Sequence, residues 1–164
     1  ELGPWLVRAV ENGDDLDARA AAMRGATAAG IAFGHAGTAA PHALQYPMGA
    51  ATKTPHGLGV GLFLPYALAA AADKLRDELS ELATVVGAGK DAEAFIAWLV
   101  ELRQRIAVPH TLREVGVGRD QLRGFAEAAS GITRILRNHR GPQDPDALET
   151  ILQASWAGDL SPFD

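Results

Sequence analysis

The sequence predicts an all-α fold, a multi-helix bundle of seven or eight helices in one domain spanning residues 1–164. Three observations carry this. Alanine makes up about a fifth of the chain and leucine is abundant, both strong helix formers. Apolar residues recur at three- and four-residue intervals along most of the chain. No stretch alternates apolar and polar residues over six or more positions, so a sheet has little support.

The elements follow in order. After the turn at Asn12-Gly13, Asp14 or Asp15 caps a helix that begins near Leu16 and runs to Ala39 or Ala40, where Pro41 forces a break or kink. Pro41 is acceptable in a first helical turn, so His42 to Tyr46 starts a short second helix, which Pro47 and Gly49 disturb. Thr54-Pro55-His56-Gly57 opens another, with Thr54 as N-cap and Pro55 near its first position. Lys74 to Val86 is amphipathic, with Leu75, Leu79, Leu82 and Val86 on one face. Asp91 caps a helix that turns Phe95, Trp98, Leu99 and Leu102 inward and ends before Pro109. Arg119 to Ser130 repeats the pattern through Leu122, Phe125 and Ala129. Asp144 or Asp146 starts a last helix through Leu148, Ile151, Leu152 and Trp156. The three Trp read as single core anchors.

Composition narrows the function. A chain of 164 residues with 48% hydrophobic and 21% charged residues can bury a real core without cross-links. It holds no Cys, which excludes disulfides, thiolate zinc sites and thiol nucleophiles and fits a reducing, cytoplasmic compartment. A net charge of −5 argues against a nucleic-acid partner, which calls for a basic stripe. The longest apolar run, Gly57 to Ala72, is interrupted by Gly59, Gly61 and Pro65, so no membrane span is expected.

The chemistry concentrates between Ile31 and Leu64, which hold three of the five His in an otherwise apolar setting. His42 and Tyr46 are four apart and share one helix face. His56 stands at the mouth of the next helix. Two neutral imidazoles on neighbouring helix ends suit one divalent cation such as Fe, Zn, Ni or Cu. The plainer alternative is that each His is a hydrogen-bonded structural residue. His35, two turns before His42, reads as packed or as a support to the other His rather than as a ligand. His110 and His139 read as surface residues in loops, and Lys53 as a solvated side chain near any anionic substrate.

The run HALQYPMGAATKTPHGLGVGLFLPYAL closely resembles the signature of the iron-dependent (group III) alcohol dehydrogenases. There, H-x-x-x-H-x-x-G-x-x-x-x-x-x-H-G leads into a helix ending in L-P. His42, Gly49, His56, Gly57, Leu64 and Pro65 are in register with it. The upstream Ala/Gly-rich helix and the downstream LREVGVGRDQLRGFAEAASG and DPDALETILQASW extend the likeness over nearly the whole chain.

The resemblance implies a two-domain oxidoreductase. Its N-terminal α/β domain binds NAD(P). Its C-terminal helical domain, dehydroquinate synthase-like, binds Fe2+ or Zn2+ through one Asp and three His. His42 and His56 correspond to the last two ligands. The first two belong to a D-x-x-x-H-A-x-E pattern that this chain lacks, as it lacks a GGGS-like nucleotide loop. The chain is therefore expected to be the C-terminal part of such an enzyme. It would carry a metal half-site within residues 31–64, without the nucleotide-binding domain, and be inactive by itself.

Tyr46 occupies the place where the family usually has a second His near the nicotinamide and substrate; a Tyr there resembles some branches, including hydroxyacid–oxoacid transhydrogenase-like members. It is expected to line the pocket of a small alcohol, aldehyde or hydroxyacid. His35 stands where an Asn is usual. The alternative is a truncated homologue serving as a non-catalytic binding or oligomerisation module. If the chain is part of such an enzyme, the two His should converge on an open surface with an apolar patch that favours homo-oligomers; if they are only structural, the two imidazoles should be buried and point apart.

Overall fold

The computed structural model describes residues 2–163. Among them are nine α-helices, three short 3-10 helices and no strand. In chain order the α-helices are α1 (Leu2–Glu11), α2 (Leu16–Ala36), α3 (Ala40–Thr52), α4 (His56–Ala69), α5 (Ala72–Val86), α6 (Ala92–Arg105), α7 (Leu122–Ser130), α8 (Thr133–Leu136) and α9 (Pro145–Ala157). The all-α reading therefore holds. Among the described residues no single helix is both long and apolar enough to cross a membrane.

Helix starts obey local chemistry. The first amides of a helix lack intrahelical acceptors, and carboxylates supply them. Asp15 Oδ1 accepts from the Ala18 amide at 3.0 Å. Asp91 Oδ1 accepts from the Ala94 amide at 2.8 Å. Asp144 Oδ1 accepts from the Asp146 and Ala147 amides at 3.1 and 3.0 Å, with Pro145 at the first helical position.

Some elements depart from expectation. α1 carries no flanking cap that the sequence pattern singles out; it is held by Val7, 2% exposed, and by the Arg8–Asp15 ion pair at 2.6 Å. α2 stops at Ala36, short of Pro41, because Gly37 takes the left-handed φ of 77° that closes a helix cheaply. α3 does not break at Pro47 but continues to Thr52. The missing proline N–H costs a hydrogen bond, and packing outweighs it: Ala43, Leu44 and Met48 are fully buried on that helix. α4 begins at His56, so Pro55 sits in the N-cap position and Thr54 caps nothing; the Thr54 hydroxyl lies 2.6 Å from that of Thr52 instead. α5 begins at Ala72, and its buried face is Leu79 and Ala83; Leu82 is 42% exposed.

Two apolar cores organise the chain. The larger joins α3, α4, α7, α8 and α9, with Leu44, Met48, Leu62, Phe63, Leu148 and Leu152 at its centre. The smaller joins the end of α4 to α5 and α6 through Ala69, Leu79, Ala83 and Phe95. The three Trp are half-buried at the rims rather than central; Trp156 Nε1 donates to the Val117 carbonyl at 3.0 Å.

Pro65 inside α4 removes one backbone donor. Arg103 of α6, only 5% exposed, reaches that stretch and donates from Nη1 to the Leu62 carbonyl at 2.8 Å. Its guanidinium also lies 5.2 Å from the Tyr66 ring centre, which compensates part of the burial of a charge.

His139 also differs from expectation. It is 6% exposed, not a surface residue, and its Nε2 has no hydrogen-bond partner. Leu136 and its neighbours in the core below fold the Asn138–Arg140 turn inward; the His139 amide donates to the Leu136 carbonyl at 2.7 Å. Burial pushes the His139 pKa down. The unfolded chain takes up that proton near pH 6.5, whereas the folded one resists it. Stability from this residue is therefore full above about pH 6.5 and is lost as pH falls towards the depressed folded value. Melting temperature should drop through this window, and His139→Gln should flatten the drop. A slope unchanged by that substitution would show that other groups set the acid limit.

Candidate metal half-site

The candidate site is built on the α3–α4 hairpin. His42 lies in the first turn of α3, directly after Pro41, and His56 is the first residue of α4. Only Lys53, Thr54 and Pro55 separate the helices, and Lys53 takes a left-handed φ of 60° to turn the chain. The hairpin brings the His42 and His56 ring centres to 5.2 Å, their planes inclined by 60°. Tyr46, one turn after His42, places its ring 6.0 Å from that of His56. His42 is half-buried, while His56 and Tyr46 are exposed, so the three side chains form an open face.

Burial, with the neighbouring His56 adding charge repulsion, holds the His42 pKa below the ordinary histidine value. The ring is thus kept neutral, the form that binds a metal. His56 Nδ1 lies 2.7 Å from Gln45 Oε1. An amide oxygen only accepts, so Nδ1 carries the proton and the Nε2 lone pair is left for another partner.

Gln45 is the residue that motif reading missed. It precedes Tyr46 on α3 and is 5% exposed. It threads between two glycines. A Cβ on Gly59 would lie 2.7 Å from Gln45 Cγ and 2.9 Å from Met48 Cε, and one on Gly49 would meet Gln45 Nε2. Nothing in its local sequence marks it; the contacts with Gly49 and Gly59 appear only in the folded hairpin.

Other His do not join. His35 is exposed and its Nδ1 contacts its own helix at the Ile31 carbonyl, 3.0 Å away, so it is neither packed nor a support to the pair. His110 is half-buried and serves through its backbone, accepting from the Tyr66 hydroxyl at 3.0 Å. Lys53 is exposed and donates to the Ala50 carbonyl at 3.2 Å.

An apolar groove of about 340 Å3 runs from the site along α4, bordered by Pro41, His42, Val60, Leu64, Leu68 and His139. Along α2, Leu16, Met23, Ile31 and Phe33 are all more than half exposed. The expected open, apolar surface is present.

The donor set fits part of a divalent-cation site. Two imidazoles from adjacent helices face one another, one kept neutral and the other with a committed tautomer. Among the described residues no group of three or more His, Cys, Asp or Glu comes together. The pair offers two nitrogen donors of the kind such a cation takes.

Comparison with known proteins identifies the family. A profile of the Fe-containing alcohol dehydrogenase family, C-terminal, matches residues 3–156. The chain belongs to that family. It is 28% identical over 162 residues to long-chain-alcohol dehydrogenase 1 of Geobacillus thermodenitrificans, covering 94% of this chain and 41% of that protein. It is 30% identical over 122 residues to the lactaldehyde reductase of Escherichia coli K12, covering 70% of this chain and 32% of that protein. The fold superimposes on an alcohol dehydrogenase from Oenococcus oeni with a TM-score of 0.87 at 24% identity, over 94% of this chain and 43% of that one. The chain thus spans well under half the length of these relatives.

Proposed function

We propose that these 164 residues form one helical domain, the metal-binding C-terminal part of an NAD(P)-linked, divalent-metal-dependent oxidoreductase of small alcohols, aldehydes or hydroxyacids. The observation that carries this is the facing pair His42 and His56, 5.2 Å between ring centres, in a chain of this family.

When bound, Fe2+ or Zn2+ supplies Lewis acidity at the alcohol or carbonyl oxygen, and NAD(P) accepts or returns the hydride. His42 and His56 would hold the cation. The remaining ligands and the nucleotide site lie outside this chain, so the chain alone is inactive. Tyr46 borders the substrate and orients its oxygen with a phenolic hydrogen bond.

The test is cation-dependent NAD(P)H formation by the protein that carries this chain, with none by residues 1–164 alone. Turnover by residues 1–164 alone would overturn the division of labour. Tyr46→Phe should lower kcat/KM about tenfold, the loss of one ordinary hydrogen bond. Because Tyr46 is 47% exposed, melting temperature should not move.

A second reading, a non-catalytic oligomerisation module, draws on the exposed apolar residues of α2. It predicts self-association in solution without any bound cation.

A further inference from the structure

We propose that Gln45 is a positioning residue for His56: it selects the ring tautomer and so aims the Nε2 lone pair out of the hairpin. The inference rests on the metal-site reading only for what that lone pair meets; the tautomer itself follows from the hairpin. Gln45 and His56 stand on different helices, eleven residues apart, and the contact is short, 2.7 Å. His56 is exposed and would otherwise rotate freely in water. Gln45 has no such freedom. It is 5% exposed and confined between Gly49 and Gly59, where a Cβ on either would strike its side chain. A buried, sterically fixed acceptor against an exposed ring is an asymmetric arrangement: the amide dictates the geometry and the imidazole conforms.

A histidine ring in water favours the proton on Nε2, so Nδ1 protonation in His56 is a preference imposed by Gln45. This supports a ligand, because an imidazole whose other nitrogen donates to a fixed acceptor is oriented and more basic at the binding nitrogen. Tyr46, the next residue of α3, lies beside the His56 ring. The ring is thus held at Nδ1 by one α3 side chain and flanked by another.

The decisive measurement is the 15N shift pattern of the His56 ring in this chain, recorded in alkaline buffer. Wild type should show a protonated Nδ1 and a bare Nε2. Gln45→Met, close in shape but without the amide oxygen, should return His56 to the Nε2-protonated form. Gln45→Glu, which again offers an oxygen, should restore Nδ1 protonation. Zn2+ titrated into the same samples should bind about 10- to 100-fold more weakly to Gln45→Met than to wild type.

A wild-type ring protonated at Nε2 overturns the proposal, and that result needs no variant to fold. A tautomer unchanged in folded Gln45→Met overturns it as well. Zn2+ binding indifferent to His42→Ala would instead defeat the metal reading, with the tautomer result still standing for or against Gln45.

Discussion

Replacing His42 with alanine, in the protein that carries this chain, should lower kcat/KM by about a thousandfold or more while the helices remain folded. Lewis-acid stabilisation is worth several kcal/mol of barrier, and each 1.4 kcal/mol is about tenfold in rate. His42 is half-buried on the outer face of α3, and the packing of that helix rests on Ala43, Leu44 and Met48, which are fully buried. Its removal therefore takes away a donor without opening the core. His56→Ala should match it in size. Retained cation content with lost activity would move the role of the pair from holding the cation to binding substrate. Retained activity would remove it from the reaction.

The largest effect on stability is expected at Phe63. Its side chain is fully buried in the larger core, between α3, α4 and α9. Phe63→Ala should cost about 3–5 kcal/mol, the sum of lost burial and the cavity left behind. That corresponds to a melting-temperature fall on the order of 10 °C for a chain of this size. Leu82→Ala is the matched control. Leu82 is 42% exposed, and a surface truncation stays within about 0.5 kcal/mol. Equal losses at the two positions would show that the α5 face is buried by something beyond the described residues.

This contrast marks how far the sequence could be read. Helical periodicity identifies which segments are helices, because the 3.6-residue repeat is a local property. It does not rank Leu82 against Leu79, because which of two adjacent apolar positions faces α6 depends on the rotation of the packed helix. Pro47 shows the same limit: its local cost is real, but Ala43, Leu44 and Met48 are buried by α4, α7 and α8, and tertiary contact decides. His139 does lie in a loop, but it reads as exposed because its burial comes from the core beneath Leu136, which the composition of the loop does not reveal. At the site, His42 and His56 are legible because Pro41 and Pro55 each precede one and fix the two helix starts. Gln45 is not. An isolated Gln on an apolar helix has no chemical signature until the opposing helix places Gly59 against it.

The hairpin that carries both imidazoles has a consequence for how the protein assembles. Residues 42 and 56 are fourteen apart in sequence (56 − 42), bridged by the three residues between α3 and α4. Closing so short a loop takes little time and little chain entropy compared with contacts that span a domain. The paired imidazoles therefore belong to the fast, local stage of folding. The approach of the two rings is set by the α3–α4 turn, whereas the course of α3 through Pro47 also draws on α7 and α8, so the pair joins a local contact to the packing of the whole bundle.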